Sequence, residues 1–135
     1  MSSLDNVLRT TIKNVPEAVA AGYIDLDTGM LMGIQTIDSH PTKVIDLLAA
    51  ATSDLFQGSN VLTIESFFKK LRGVDNKDKH YFQEIIINSD NMVHVFCRGK
   101  RYPSHVLCVV CRSSVNLGMA LTKTRQASVS IDKSV

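Results

Sequence analysis

Cys108-Val109-Val110-Cys111 is the first place in this 135-residue chain to look for chemistry, because two thiols at that spacing can hold a metal ion or form a redox disulfide. Both uses need a turn or a helix start, where the sulfurs converge. Here the pair sits inside the apolar run Val106 to Arg112, which reads as a strand. Side chains at this spacing on a strand face opposite ways, so they cannot share one tetrahedral ion. Cys108, Cys111 and Cys97 therefore read as small core-filling side chains.

The histidines offer little more. His40, His80, His94 and His105 fall in separate loops or strands, and none has the helical spacing of a metalloprotease pair. An enzyme would have to use His94 with Cys97, Cys108 or Cys111, and no local pattern supports such a nucleophilic pair. Arg98-Gly99-Lys100-Arg101 lacks the Ser or Thr, and the following helix, of a phosphate loop. Asp25, Asp27 and Asp38 flank a hairpin but lack the alternating oxygen ligands and closing Glu of a calcium loop, so they read as turn residues. The expectation is a protein that is not an enzyme and that uses no cofactor and no metal.

The formal net charge of +2 is too small to argue for nucleic acid. Lys69-Lys70-Arg72 and Arg98-Lys100-Arg101 read as solvated rims. No apolar run approaches the roughly 18 residues of a membrane span. Met1-Ser2-Ser3-Leu4-Asp5 lacks the basic start and apolar core of a secretory signal, and three cysteines are an odd number. Together these point to a single cytoplasmic domain.

Periodicity supplies the elements. Leu4, Val7, Leu8 and Ile12 fall at helical spacing, and Pro16 ends that helix. Ala18 to Leu26 and Met30 to Thr36 read as strands joined by the turn Asp27-Thr28-Gly29, with Gly29 where a positive φ is expected. Val44, Leu47, Leu48, Ala51 and Leu55 make an apolar helical stripe that ends before Gly58. Val61, Ile64, Phe67, Phe68 and Leu71 keep helical spacing too, so Gly58-Ser59-Asn60 either breaks two helices or bends one. Gly73 to Lys79 is a polar connection. Tyr81 to Asn88 and Met92 to Arg98 form a second hairpin, and Val106 to Arg112 is a fifth strand. Ser113 or Ser114 caps a last helix in which Leu117, Ala120, Leu121 and Thr124 share a face. From Ser128 the tail is polar and expected to fray.

One strand stands out. Tyr81-Phe82-Gln83-Glu84-Ile85-Ile86-Ile87-Asn88 is apolar on both faces, holds no Pro and carries one charge. Such a strand is safe in water only if something pairs with it or covers it. Either a second copy of the chain does so, or the stretch Val61 to Leu71 folds over it.

The order helix, strand, strand, helix, strand, strand, strand, helix resembles the roadblock/dynein light chain family, as a prokaryotic member with a profilin-like fold. The residues carrying the resemblance are Gly22-Tyr23-Ile24-Asp25-Leu26-Asp27-Thr28-Gly29-Met30, the helix Val44 to Phe56, the hairpin Phe82 to Arg98, and Val106 to Arg112 running into Asn116-Leu117-Gly118-Met119. It covers residues 1–127, leaving 128–135 as a C-terminal tail. Val61 to Leu71 departs from the pattern, being longer than the usual link.

The resemblance implies an α+β fold with a five-stranded antiparallel sheet in the order 2-1-5-4-3. The middle helix would lie on one face and the terminal helices on the other. Family members join the third strand and the middle helix to a second subunit, giving a ten-stranded sheet. A homodimer is therefore expected, with Leu55, Phe56, Tyr81, Gln83, Ile85, Ile86 and Ile87 at the joint. The implied role is a non-catalytic scaffold that binds or regulates a small Ras-like GTPase. Arg98, Lys100 and Arg101 form a candidate partner-binding loop. The alternative is a small-ligand sensor of the profilin or PAS kind, with Met30, Met32 and Met92 lining a pocket on the sheet.

Overall fold

In the computed structural model, which describes residues 3–37, 42–72, 80 and 82–135, the elements follow in this order. They are α1 (Ser3–Asn14), β1 (Ala18–Asp25), β2 (Met30–Thr36), α2 (Thr42–Gln57), α3 (Ser59–Arg72), β3 (Glu84–Asn88), β4 (Met92–Arg98), β5 (His105–Arg112) and α4 (Leu117–Ser134). The strands make one antiparallel sheet, β2-β1-β5-β4-β3, the order that the resemblance implied. Residues 38–41, the expected connection 73–79 and Tyr81 lie outside the described residues.

Alternation along the strands sorts their side chains between two faces. Tyr23 of β1, Val95 of β4 and Val109 of β5 point one way, where Leu8 of α1 and Ala120 and Ile131 of α4 complete the main core. On the other face Phe56 of α2 packs with Leu26, Phe96 and Val106 in a smaller cluster bordered by Ile85 and Ile87. The terminal helices thus share one face and α2 takes the other. Cys111 belongs to the first cluster and Cys108 borders the second, so the two thiols do lie on opposite faces.

The first hairpin closes as its residues dictate. The Gly29 N–H donates to the Asp25 carbonyl at 2.9 Å, and Gly29 sits at φ 69°, where a side chain would strain the backbone. α4 starts two or three residues later than expected: Asn116, not Ser113 or Ser114, accepts from the Met119 N–H at 3.0 Å.

Residues 128–135 correct the sequence reading. They are the last turns of α4 rather than a frayed tail. Ile131 is fully buried, and Asp132 Oδ2 accepts the backbone N–H groups of Lys100 and Arg101 at 3.1 and 3.2 Å. The Tyr102 hydroxyl donates to the Val135 carbonyl at 3.0 Å. The inner stripe of this helix is Ala120, Thr124, Ser128 and Ile131, which keeps helical spacing with small hydroxyl side chains. Its polarity concealed it.

A second finding concerns α2. Among its described side chains Ala49, Thr52 and Phe56 are buried, while Leu48, Ala51 and Leu55 of the expected stripe face solvent; Val44 and Leu47 of that stripe lie outside the described side chains. Gly58 then separates α2 from α3, and two hydrogen bonds carry across this bend: Gly58 N–H reaches Asp54 O, and Leu62 N–H reaches Gly58 O, both at 3.0 Å. A β-carbon at Gly58 would lie 2.7 Å from the Asp54 carbonyl oxygen, so the bend depends on glycine.

Candidate functional site

β3 is the end of the sheet. Among the described residues it pairs with β4 alone, from Glu84 opposite Cys97 to Asn88 opposite Val93. Ile85 and Ile87 are half-buried on the α2 side, Ile86 is exposed on the side of α4, and Glu84 and Asn88 are exposed. An antiparallel strand with one neighbour leaves the N–H and C=O groups of its outer side unpaired, and three consecutive isoleucines make this an apolar edge. Regular pairing starts at Glu84 rather than Tyr81. The Gln83 carbonyl still accepts from the Arg98 N–H at 2.8 Å, and Gln83 itself is exposed.

The two helices on the α2 side of the sheet carry apolar side chains on their outer surface. α2 buries Phe56 on the sheet but leaves Leu48 and Leu55 in solvent. α3 packs against α2, and Leu62, Ile64, Phe67, Phe68 and Leu71 are all exposed. Of the expected interface set, Leu55, Gln83 and Ile86 are exposed, Ile85 and Ile87 are half-buried, and Tyr81 lies outside the described residues. Phe56 is excluded from any joint, because its own protomer buries it completely. The exposed side chains of α3 were not in that set, although their spacing was legible. The missing signal was that α2 and α3 together carry more apolar surface than one sheet face can cover.

The expected partner loop also needs correction. Arg98 is 4 % exposed and belongs to the end of β4, not to a loop. Its Nε donates to the Phe82 carbonyl at 2.8 Å and its Nη1 to the Pro103 carbonyl at 2.7 Å. Its Nη2 reaches the Phe56 carbonyl at 3.5 Å, and the guanidinium lies over the Phe56 ring, 5.1 Å from its centroid. Arg98 thus ties the end of α2, the lead-in to β3 and the β4–β5 loop together. Lys100 and Arg101 are exposed, on a backbone that Asp132 holds from α4.

No family model matches the sequence, and no curated protein matches it. Solved structures do. The chain is similar to MglB from Myxococcus xanthus, with 17% identity and a TM-score of 0.71 over 98% of this chain and 94% of that one. It is similar to a Roadblock/LC7 domain from Streptomyces avermitilis, with 16% identity and a TM-score of 0.69 over 98% and 97%. Profilin II of Acanthamoeba castellanii follows at 11% identity, with a TM-score of 0.60 over 97% and 98%. The fold is roadblock-like.

Electrostatics at the open end of this roadblock-like sheet are local. Arg125 of α4 grips Glu84 of β3 through two hydrogen bonds, 2.6 and 2.7 Å long, and holds its carboxyl below the usual carboxylate range. Glu65 of α3 is buried, 3.3 Å from His80 Nδ1, and the Gln83 side-chain amide donates to the His80 carbonyl at 2.6 Å. On the α2 side His94 stacks on Phe96, and burial lowers its pKa. Burial raises the thiol pKa of Cys97 and Cys108 to about 12 and that of Cys111 to about 11, so all three stay protonated near neutral pH.

Between α2 and the sheet lies a cavity of about 250 Å³, walled by apolar side chains and by Thr36, Thr52 and His94. Met92 lines it, whereas Met30 and Met32 are exposed on β2. Among the described residues no helix is long and apolar enough to cross a membrane, and no group of His, Cys, Asp and Glu could hold a metal ion.

Proposed function

We propose that the protein is a homodimeric, non-catalytic scaffold whose copies join along β3 into one ten-stranded sheet, and that the dimer binds and regulates a small Ras-like GTPase. The observation that carries the first half is the open, apolar margin at Glu84–Asn88. A second copy would satisfy its unpaired backbone groups without any change of conformation. The roadblock-like fold supports the second half, since the family it resembles supplies partners of such GTPases; one MglB structure of that fold has a tetrameric arrangement. Such a dimer acts by reshaping the switch loops of its partner. Arg98 is committed to three carbonyls of its own chain, which leaves Lys100 and Arg101 as the exposed cations of that loop.

Light scattering tests the dimer: the wild type should have twice the 14.9 kDa chain mass, and Ile86→Lys should shift it towards one chain. A GTPase assay tests the partner. With a small GTPase encoded beside this protein, adding the wild type should change the rate of hydrolysis, and unchanged binding and hydrolysis would remove the GTPase from the reading.

The cavity beneath α2 favours a second reading, in which a small apolar molecule binds there. A metabolite panel should then raise the melting temperature for at least one compound. A flat panel would leave the cavity as a packing gap.

A further inference from the structure

α3 turns a charged residue inward and its large apolar residues outward. Each residue advances about 100° around a helix, so Ile64, Phe67, Phe68 and Leu71 fall within a stripe about 100° wide. Their exposures are 42%, 61%, 38% and 69%, against 2% for Glu65. A polar contact accompanies this orientation. Glu65 Oε1 lies 3.3 Å from His80 Nδ1, and the same carboxylate is near enough to Arg98 to favour its charge. A buried carboxylate placed like this is costly unless paired, so α3 cannot roll over to hide its apolar stripe without stranding Glu65.

We infer that this stripe is the second half of the joint between two copies, covered in the dimer by the α2–α3 corner of the other chain. The inference rests on the reading that the copies meet along β3. Area is the first argument. A strand of five residues is about 17 Å long, and two such edges bury little of the roughly 800 Å² that each partner brings to a stable interface. Aromatic side chains bury about 150–250 Å² each, so Phe67 and Phe68, half-exposed and flanked by Ile64 and Leu71, bring the stripe to on the order of 400 Å² per copy. Continuity is the second argument. His80, which contacts Glu65, stands four residues before the start of β3, and the Gln83 amide donates to its carbonyl at 2.6 Å. Symmetry is the third. Two identical edges joined antiparallel in one sheet are related by a two-fold axis perpendicular to it, which keeps α2 and α3 of both copies on the same side. Leu55 faces solvent on that side and gives the stripe an apolar surface to meet.

A single reporter thiol tests this, because Cys97, Cys108 and Cys111 have raised pKa values and lie within the sheet. In Phe67→Cys, maleimide labelling should slow at least tenfold between concentrations where light scattering gives one chain and two. The double variant Phe67→Ser, Leu71→Ser should raise the dimer dissociation constant about 100-fold with unchanged circular dichroism. A dimer whose introduced thiol labels at one rate throughout would overturn the inference and leave the β3 joint standing. A wild type that stays at 14.9 kDa at every concentration would sink both. Labelling that slows only when a GTPase or lipid vesicles are added would also overturn it, by assigning the stripe to a different partner.

Discussion

α4 buries Thr124, Ser128 and Asp132 along its inner side, while α3 leaves Ile64, Phe67, Phe68 and Leu71 in solvent. By composition the two helices should have changed places. The difference lies in what each has to pack against. α4 lies across β4 and β5 and against α1, where small residues permit close approach and Ile131 fills the end of the core. α3 meets α2, and the sheet face beyond is already taken by Phe56. Burial therefore follows the geometry offered by the neighbours, and surplus apolar surface is a statement about the assembly rather than the protomer.

The contrast can be broken by mutation, and the largest effect belongs to α4. Ile131→Ala should cost about 3 kcal/mol in urea unfolding, as a fully buried aliphatic truncation. A cost under about 1 kcal/mol would restore the frayed tail. Arg98→Met comes next. Keeping the stem but removing the guanidinium leaves the Phe82, Pro103 and Phe56 carbonyls without that donor, at about 2 kcal/mol. A neutral result would return Arg98 to the role of an exposed partner contact.

A smaller, pH-dependent effect should appear at Glu84. Arg125 depresses its folded pKa, so its stabilisation is present above the unfolded carboxylate value of about 4.3 and is lost as pH falls through the folded value. Glu84→Gln should therefore unfold earlier than wild type in urea at about pH 7, with the gap closing below about pH 4. The smallest effect sharpens the comparison most. Leu71→Gln on α3 should change protomer stability by less than about 0.5 kcal/mol when measured below the assembly concentration, despite removing an apolar side chain.

Much of this was legible in the sequence. The strand hairpins, the sheet order and the exposed third strand followed from alternation, from Gly29 in its turn, and from the family resemblance. The misreadings have physical causes. On α2 the apolar stripe does not mark the side that meets the sheet: Leu48, Ala51 and Leu55 are exposed, while the smaller Ala49 and Thr52 are buried where the helix approaches β1 and β2. On α4 hydroxyl side chains occupy inner positions that apolarity alone does not mark. Arg98 looked like a loop cation, although strand alternation places it on the same face as Phe96, beneath α2. That spacing was the signal that could have found it. The pairing of Glu65 with His80 joins residues on either side of an undescribed connection, and no local pattern announces it.

Hydrogen exchange at the Glu84–Asn88 amides bears most directly on the joining of two chains along β3. In one chain alternate amides of an end strand point outward and exchange freely, whereas in a continuous sheet every amide of the segment is bonded. At concentrations giving twice 14.9 kDa, all of these amides should be protected, and dilution to one chain should free every second one. Free exchange at those alternate amides in a particle of doubled mass would show that the copies meet somewhere else.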